Sequence, residues 1–250
     1  MHPRILFPLL TGLAFSSGGL WRLHAQEPNE KAARILEPLT KRPASGPLFE
    51  RFVNAWLDTG TLESLGRFLH ARVGMDPSAA NRLLLALFHA RQGEAVKALE
   101  QFRAALLTNP GSADIWYQKA LLESRTLDFD GAIASLINCL EAKPAGELAL
   151  QAPQLLGRLY ARTGKTGEAL KVWRALMEAR PEDELLREDV LELQIGESLW
   201  PAAQETAANL VEVTRDPYRR VLRRMRLGDV YDRSGLRDRA LETFAYCLED

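Results

Sequence analysis

LGRLYARTGKTGEALKVWRALMEARP, residues 156–181, is the stretch whose reading decides the fold. Its apolar residues recur three and four apart on both sides of Gly164, which is the spacing of one helix face, and no period-two alternation runs through it. It therefore reads as two helices joined by a glycine turn and closed by Pro181. Gly164 ends the first helix by taking a left-handed conformation, and the proline stops the second from continuing. Gly157 is small enough for the second helix to approach closely, and Trp173 fills the space beside it.

Outward from this stretch the same pattern repeats. Ala98 and Phe102 recur 34 residues later as Ala132 and Leu136, and Ala132 is followed 37 residues on by Ala169 with Trp173. Ala240 and Phe244 come 71 residues beyond that pair. Since 71 is 34 plus 37, one further unit lies between them. Pro77, Pro110, Pro144 and Pro181 keep the same beat, 33, 34 and 37 apart.

In these residues the chain resembles the tetratricopeptide-repeat (TPR) family, whose signature asks for Trp, Leu-Gly and Tyr on a first helix, Ala and Phe on a second, and a closing Pro. One unit supplies Leu156-Gly157, Tyr160, Gly164, Ala169, Trp173 and Pro181; another supplies Leu227-Gly228, Tyr231, Gly235, Ala240 and Phe244. A third has Leu85-Ala86, Gly93, Ala98, Phe102 and Pro110, and a fourth Trp116, Ala120, Ala132, Leu136 and Pro144. The first unit is looser, with Trp56, Gly60 and Pro77 but Leu65 where Ala is expected. The unit from Glu184 keeps little beyond two helix-like runs and Ala203. The resemblance implies an all-α fold, a right-handed α-solenoid of about six stacked helix-turn-helix pairs. They fall at 46–78, 79–112, 113–149, 150–183, 184–220 (degenerate) and 221–250 (incomplete). The sequence stops inside the second helix of its last pair, so a longer protein, or a cap supplied by a partner or a second copy, is expected.

The N-terminus reads differently. Arg4 precedes an apolar run from Ile5 to Phe15, then small residues and Leu23-His24-Ala25. This is the pattern of a secretory signal peptide, residues 1–25, cut after Ala25, the alternatives being an uncleaved anchor or a start assigned too early. The run is about ten residues long, against the roughly 20 that a spanning helix needs. An exported protein, periplasmic or extracellular, with no membrane insertion after cleavage is the expectation. Residues 26–46 read as a linker, with Pro28, Pro38 and Pro43, although Ala32, Ala33, Ile35, Leu36 and Leu39 have the spacing of one short helix.

Composition is that of a globular chain, 46% hydrophobic and 26% charged, with a formal net charge of −1. Loss of residues 1–25 removes Arg4 and Arg22 and no acid, leaving 30 basic against 33 acidic residues, or −3. This balance makes no case for nucleic acid. No catalytic set stands out and no cofactor is expected. After export only His70 and His89 remain; neither is near a Cys or a second ligand at helical spacing, and both read as surface residues. Gly164-Lys165-Thr166 resembles the end of a phosphate-binding loop but lacks the upstream glycine and preceding strand. Cys139 and Cys247 occupy one slot in units three repeats apart, too distant for a disulfide, and read as packing residues.

Two features are candidates for binding. Arg91, Arg125, Arg162 and Arg233 hold the same place in four units, just before the turn. They can form a basic ladder for carboxylates on an extended peptide, or cover apolar surface and meet the helix dipole. The resemblance further implies that Asn54, Tyr117, Gln154, Arg158 and Asp229 face the groove. Glu50 stands where the carboxylate-clamp subset of the family has its first Lys, so capture of a peptide C-terminus is not supported. The second feature is the run Arg215, Arg219, Arg220, Arg223, Arg224 and Arg226, preceded by Glu182, Asp183, Glu184, Glu188, Asp189, Glu192 and Glu197 on the first helix of the preceding pair. A helix this basic can meet an acidic protein or a phosphate-bearing surface, or, since adjacent units place these opposite charges side by side, pair internally.

The function expected is that of a non-enzymatic scaffold holding a protein or peptide in a helical groove. The alternatives are the targeting arm of a longer enzyme or sensor whose chemistry lies past residue 250, and self-assembly through the uncapped C-terminal end.

Overall fold

The computed structural model describes residues 27–41 and 46–247. The signal-peptide segment, residues 1–25, lies outside the described residues. Among the described residues there are thirteen α-helices and no strand. None of these helices is long and apolar enough to cross a membrane. The chain divides into two compact units, Met1–Phe88 and His89–Asp250.

The first unit holds α1 (Glu30–Lys41), α2 (Pro47–Leu57), α3 (Leu62–Met75) and most of α4 (Ala79–Arg91). The segment expected as a linker is here a packed helix. Ala32, Ile35, Leu36 and Leu39 fall on one face at spacings of three, one and three, all four are buried, and α1 packs on α2. Asn29 caps it, its Oδ1 accepting from the Ala32 N–H at 2.9 Å, and its amide donates to the Ala55 carbonyl on α2. The first pair's core is Trp56, whose indole donates to Ser64 Oγ at 2.9 Å and stacks on Phe68 with ring centroids 4.8 Å apart. Thr61 and Ser64 form a reciprocal capping box at the start of α3.

The second unit continues with α5 (Ala95–Thr108), α6 (Ala113–Arg125), α7 (Phe129–Glu141), α8 (Leu148–Arg162) and α9 (Thr166–Glu178). It closes with α10 (Glu184–Gly196), α11 (Trp200–Val213), α12 (Pro217–Arg233) and α13 (Arg237–Tyr246). Packing is between chain neighbours: α6 on α7, α7 on α8, α8 on α9, α10 on α11, α11 on α12 and α12 on α13. That is the contact pattern of stacked helix-turn-helix pairs, an α-solenoid.

One turn recurs five times in this unit. Gly93, Leu127, Gly164, Ser198 and Gly235 have φ of 78°, 64°, 76°, 58° and 83° and follow each other at 34, 37, 34 and 37 residues. At each, the next residue's N–H reaches back to the fifth residue before it: Glu94 to His89, Asp128 to Glu123, Lys165 to Tyr160, Leu199 to Gln194 and Leu236 to Tyr231, at 2.8–2.9 Å. This is a left-handed cap that satisfies the last carbonyls of a first helix. The degenerate unit therefore makes the same turn with Ser198 that its neighbours make with glycine.

The small-beside-large packing also recurs. A Cβ on Gly157 would overlap the Trp173 indole, and one on Gly228 would overlap the Phe244 ring. Trp173, Phe102 and Leu136 are fully buried, as are Ala98, Ala132, Ala169 and Ala203. In α10 and α11 the corresponding positions are Leu191 and Ala207, both buried in one core cluster with Ile195, Ala203, Leu210 and Val230.

Candidate protein-binding surface

The first helices α6, α8, α10 and α12 lie side by side in the second unit. α6 touches α8 directly. Arg162, at the end of α8, pairs with Glu197 at the end of α10, Nε to Oε1 3.5 Å. α10 and α12 are joined by Glu184–Arg219 at 2.9 Å, Glu188–Arg223 and Glu192–Arg226. Acids at positions 184, 188 and 192 make one stripe on α10, and Arg219, Arg223 and Arg226 face it from α12. Arg220 donates instead to the Thr214 and Arg215 carbonyls, at 3.2 and 3.0 Å. The acidic and basic runs of the sequence thus meet each other.

The repeat register gives equivalent places on these helices. Tyr117, Gln154, Glu188 and Met225 share one, and Arg158, Glu192 and Asp229 share the next. Tyr117 is half-buried against the α6–α8 core. Burial, above all, holds its phenol pKa above the usual value; Cys139 and Glu147 add to this and Arg158 opposes it. Gln154 is half-buried, and its backbone carbonyl lies 3.5 Å from the Trp173 indole nitrogen. Arg158 is exposed and makes no ion pair among the described residues. Asp229 is exposed, 4.0 Å from Arg226. Asn54 is in the first unit, where it lines a cavity of about 520 Å³ between α1 and α2 with Glu30, Lys31, Arg34, Ile35 and Arg51.

The four ladder arginines are the last-turn residues of α4, α6, α8 and α12. Arg162 is engaged with Glu197, Arg233 has its guanidinium 5.5 Å from the centre of the Trp200 ring, and Arg91 is engaged as well. Arg125 is exposed without an ion pair among the described residues. The ladder is therefore not uniformly available.

His89, expected on the surface, is buried, 4% exposed. Its Nδ1 lies 2.6 Å from Glu94 Oε2, a contact that meets the ring's polar need and permits burial. Lys97 and then His89 hold the Glu94 carboxyl below its ordinary pKa. Burial pushes the Cys139 thiol up to about 11, which keeps it protonated and inert. The sequence reading also missed a buried network. Glu123, 3% exposed, takes Lys119 Nζ at 2.5 Å and Ser135 Oγ at 2.6 Å, and Lys119 donates to Ser135 at 2.7 Å. A Lys–Glu pair four apart was visible, but such pairs normally lie on the surface.

Three comparisons bear on identity. The family model described as tetratricopeptide repeat matches residues 79–122, from the start of α4 into α6. No curated protein sequence matches the chain. Among solved structures, the chain is similar to YrrB, described as a TPR protein with an unusual peptide-binding site. Identity is 17%, the TM-score 0.50, and the match covers 72% of this chain and 91% of that one. It is also similar to PilF of Pseudomonas aeruginosa, at 15% identity and a TM-score of 0.52, over 84% of this chain and 90% of that one. At such identities the likeness is one of fold. Residues 79–122 match the tetratricopeptide-repeat model, and the repeated left-handed turns and small-beside-large packing give the chain the α-solenoid fold that tetratricopeptide-repeat proteins share.

Proposed function

We propose that this chain is an exported, non-enzymatic scaffold that holds a protein or peptide along the row of first helices in its second unit. The observation that carries this reading is the row itself. Tyr117 and Gln154 occupy equivalent places on the adjacent helices α6 and α8, both half-buried at the edge of the core that Leu156, Leu159 and Ala120 fill, and Arg158 lies exposed one turn further along α8. A half-buried phenol, an amide and an unpaired guanidinium are donors and acceptors suited to a polypeptide backbone and its carboxylates. YrrB, which shares the fold, has a peptide-binding site by its own description.

The test is a pull-down with the purified chain against two variants. One carries Tyr117→Ala, Gln154→Ala and Arg158→Glu; the other reverses charge at Arg91, Arg125, Arg162 and Arg233. Loss of the same partners from the first variant supports the reading. Unchanged partners on both would remove it. Export is tested separately: a mature N-terminus at Gln26, read by mass spectrometry of secreted or periplasmic protein, is the expected result.

A second reading, self-association through the C-terminal pair, is favoured by α13. Among its residues only Ala240 is buried, while Leu241 is 68% and Tyr246 55% exposed. Light scattering over a concentration series separates the two, since a monomer that binds partners argues against assembly.

A further inference from the structure

The second unit carries a longer period than the helix pair. Leu127 and Ser198 make the left-handed turn without glycine, Gly164 and Gly235 make it with glycine, and the members of each couple stand 71 residues apart. The pair interiors alternate in the same way. Glu123 and Gln194, each 3% exposed, hold equivalent places in α6/α7 and α10/α11, and so do the buried hydroxyl residues Ser135 and Thr206. In α8/α9 and α12/α13 the place of Glu123 belongs to Tyr160 and Tyr231, and Gly157 and Gly228 lie under Trp173 and Phe244. Phe129 and Trp200 open α7 and α11, whereas α9 and α13 begin with Thr166 and Arg237. Two kinds of pair therefore alternate, and one of each makes a four-helix block: α6–α9, then α10–α13.

The junctions differ with the period. Inside the first block, Cys139 of α7 and Ala152 of α8 are fully buried in one core, and such small residues let the two backbones come close. At the same register α9 and α10 present Leu176 and Leu186 to their shared core, and these backbones stand further apart. Inside the second block, α10 and α12 are joined by Glu184–Arg219, Glu188–Arg223 and Glu192–Arg226. There Gln204 of α11 also donates to Ser234 Oγ, just past α12, at 2.9 Å. Between the blocks the ion pair is Arg162–Glu197, at 3.5 Å and partly in solvent. Apolar contact is non-directional and a solvated ion pair contributes little, whereas several charge-assisted hydrogen bonds in a row hold one geometry. Coupling is therefore strong within the second block and weak across α9/α10.

In a solenoid of equal couplings each pair interacts alike with the next, and the terminal pair opens first. We propose that this unit instead opens in blocks of four helices, α10–α13 as one cooperative body and α6–α9 as another, with the α9/α10 junction as the seam between them. Opening of the second block uncovers Trp173 and Leu176, an apolar surface that Leu186 and Val190 cover in the closed form. The inference is independent of what the chain binds.

Hydrogen exchange of the purified chain, followed by mass spectrometry at rising urea below the main transition, tests it. The slowest amides of α10, α11, α12 and α13 converge on one opening equilibrium and those of α6 to α9 on another, tenfold or more apart, with the change falling between residues 178 and 184. Arg219→Glu/Arg223→Glu/Arg226→Glu sets like charges against α10 and splits the second block. Protection of α12 and α13 then falls tenfold or more below that of α10 and α11, while α6–α9 change less than threefold. Should that variant not fold, Arg219→Gln/Arg226→Gln gives the same split at smaller size. Arg162→Gln, at the seam, moves neither block by more than threefold. A single opening shared by α6 to α13 overturns the proposal. So does a boundary at α7/α8, or α12/α13 exchanging ahead of α10/α11 in the unsubstituted chain, which is the behaviour of equal couplings. A charge-reversed chain that still opens α10–α13 together overturns it as well.

Discussion

The pairs α8/α9 and α10/α11 make the same contact with opposite parts. In the first, the small residue is on the leading helix and the large one on the trailing helix, Gly157 under Trp173. In the second, the large residue leads and the small one trails, Leu191 beside Ala207. Both arrangements fill the gap between two helices meeting at the same register, and all but the glycine are at most 2% exposed. Packing density constrains the combined volume at the contact and is indifferent to which helix supplies it. The repeat is therefore degenerate in residue identity while being regular in shape.

The largest expected effect breaks the regular pair. Trp173→Ala removes a fully buried indole above a glycine that cannot fill the space, and costs about 3–5 kcal/mol in urea unfolding. Gly157→Ala acts on the same contact from the other side and, despite alanine's better helix propensity, costs about 1–3 kcal/mol by overpacking. The reversed pair gives the sharper test. Ala207→Phe alone overpacks α10/α11, and Leu191→Ala alone leaves a cavity, but the double variant rebuilds the neighbour's arrangement. Its loss should be smaller than the sum of the single losses by about 1–3 kcal/mol. Strict additivity would mean that the two positions do not share a contact volume.

The same comparison accounts for what the sequence made legible. The pairs with Gly157/Trp173 and Gly228/Phe244 could be recognised because the small and large residues stand where the repeat signature expects them. The α10/α11 pair could not, since Leu191 and Ala207 satisfy volume with the order reversed and Ser198 makes a glycine's turn. Helix α1 was obscured by Pro28, Pro38 and Pro43, although its four buried residues have helical spacing; whether such a face is covered depends on α2, which no local pattern reveals. The charge meeting of α10 with α12 was readable, because the runs are separated by one repeat. The network at Glu123 was not, because it depends on which side of its helix a neighbour covers.

Charge is the second way in which the two pairs differ. The α8/α9 pair has one ion-pair link forward, Arg162–Glu197, whereas α10 and α12 share three. Glu188–Arg223 is the most sheltered of the three, with side chains 29% and 18% exposed. Its coupling in a double-mutant cycle of Glu188→Gln and Arg223→Met should be about 1 kcal/mol, more than an exposed pair gives and less than a dry one. The buried Arg223 Nε without a hydrogen-bond partner works against the pair, which is why the figure is not larger. One molar salt should lower the coupling measurably, and a cycle that gives zero at low salt would leave the stripe with no part in stability.

The smallest effect sharpens the comparison of the turns. Leu127 and Ser198 hold φ of 64° and 58°, where a side chain crowds the backbone, while Gly93, Gly164 and Gly235 hold the same region without that cost. Leu127 is 74% exposed, so its side chain contributes little packing that a substitution would lose. Leu127→Gly should therefore stabilise the chain, by about 0.5–1 kcal/mol once the greater freedom of glycine in the unfolded state is subtracted from the relief of strain. Ser198→Gly should act in the same direction and Gly164→Ala in the opposite one, each read as a shift of the urea midpoint at constant slope. If Leu127→Gly destabilised as much as Gly164→Ala, the left-handed turn would not be the common element that sets the 34- and 37-residue beat.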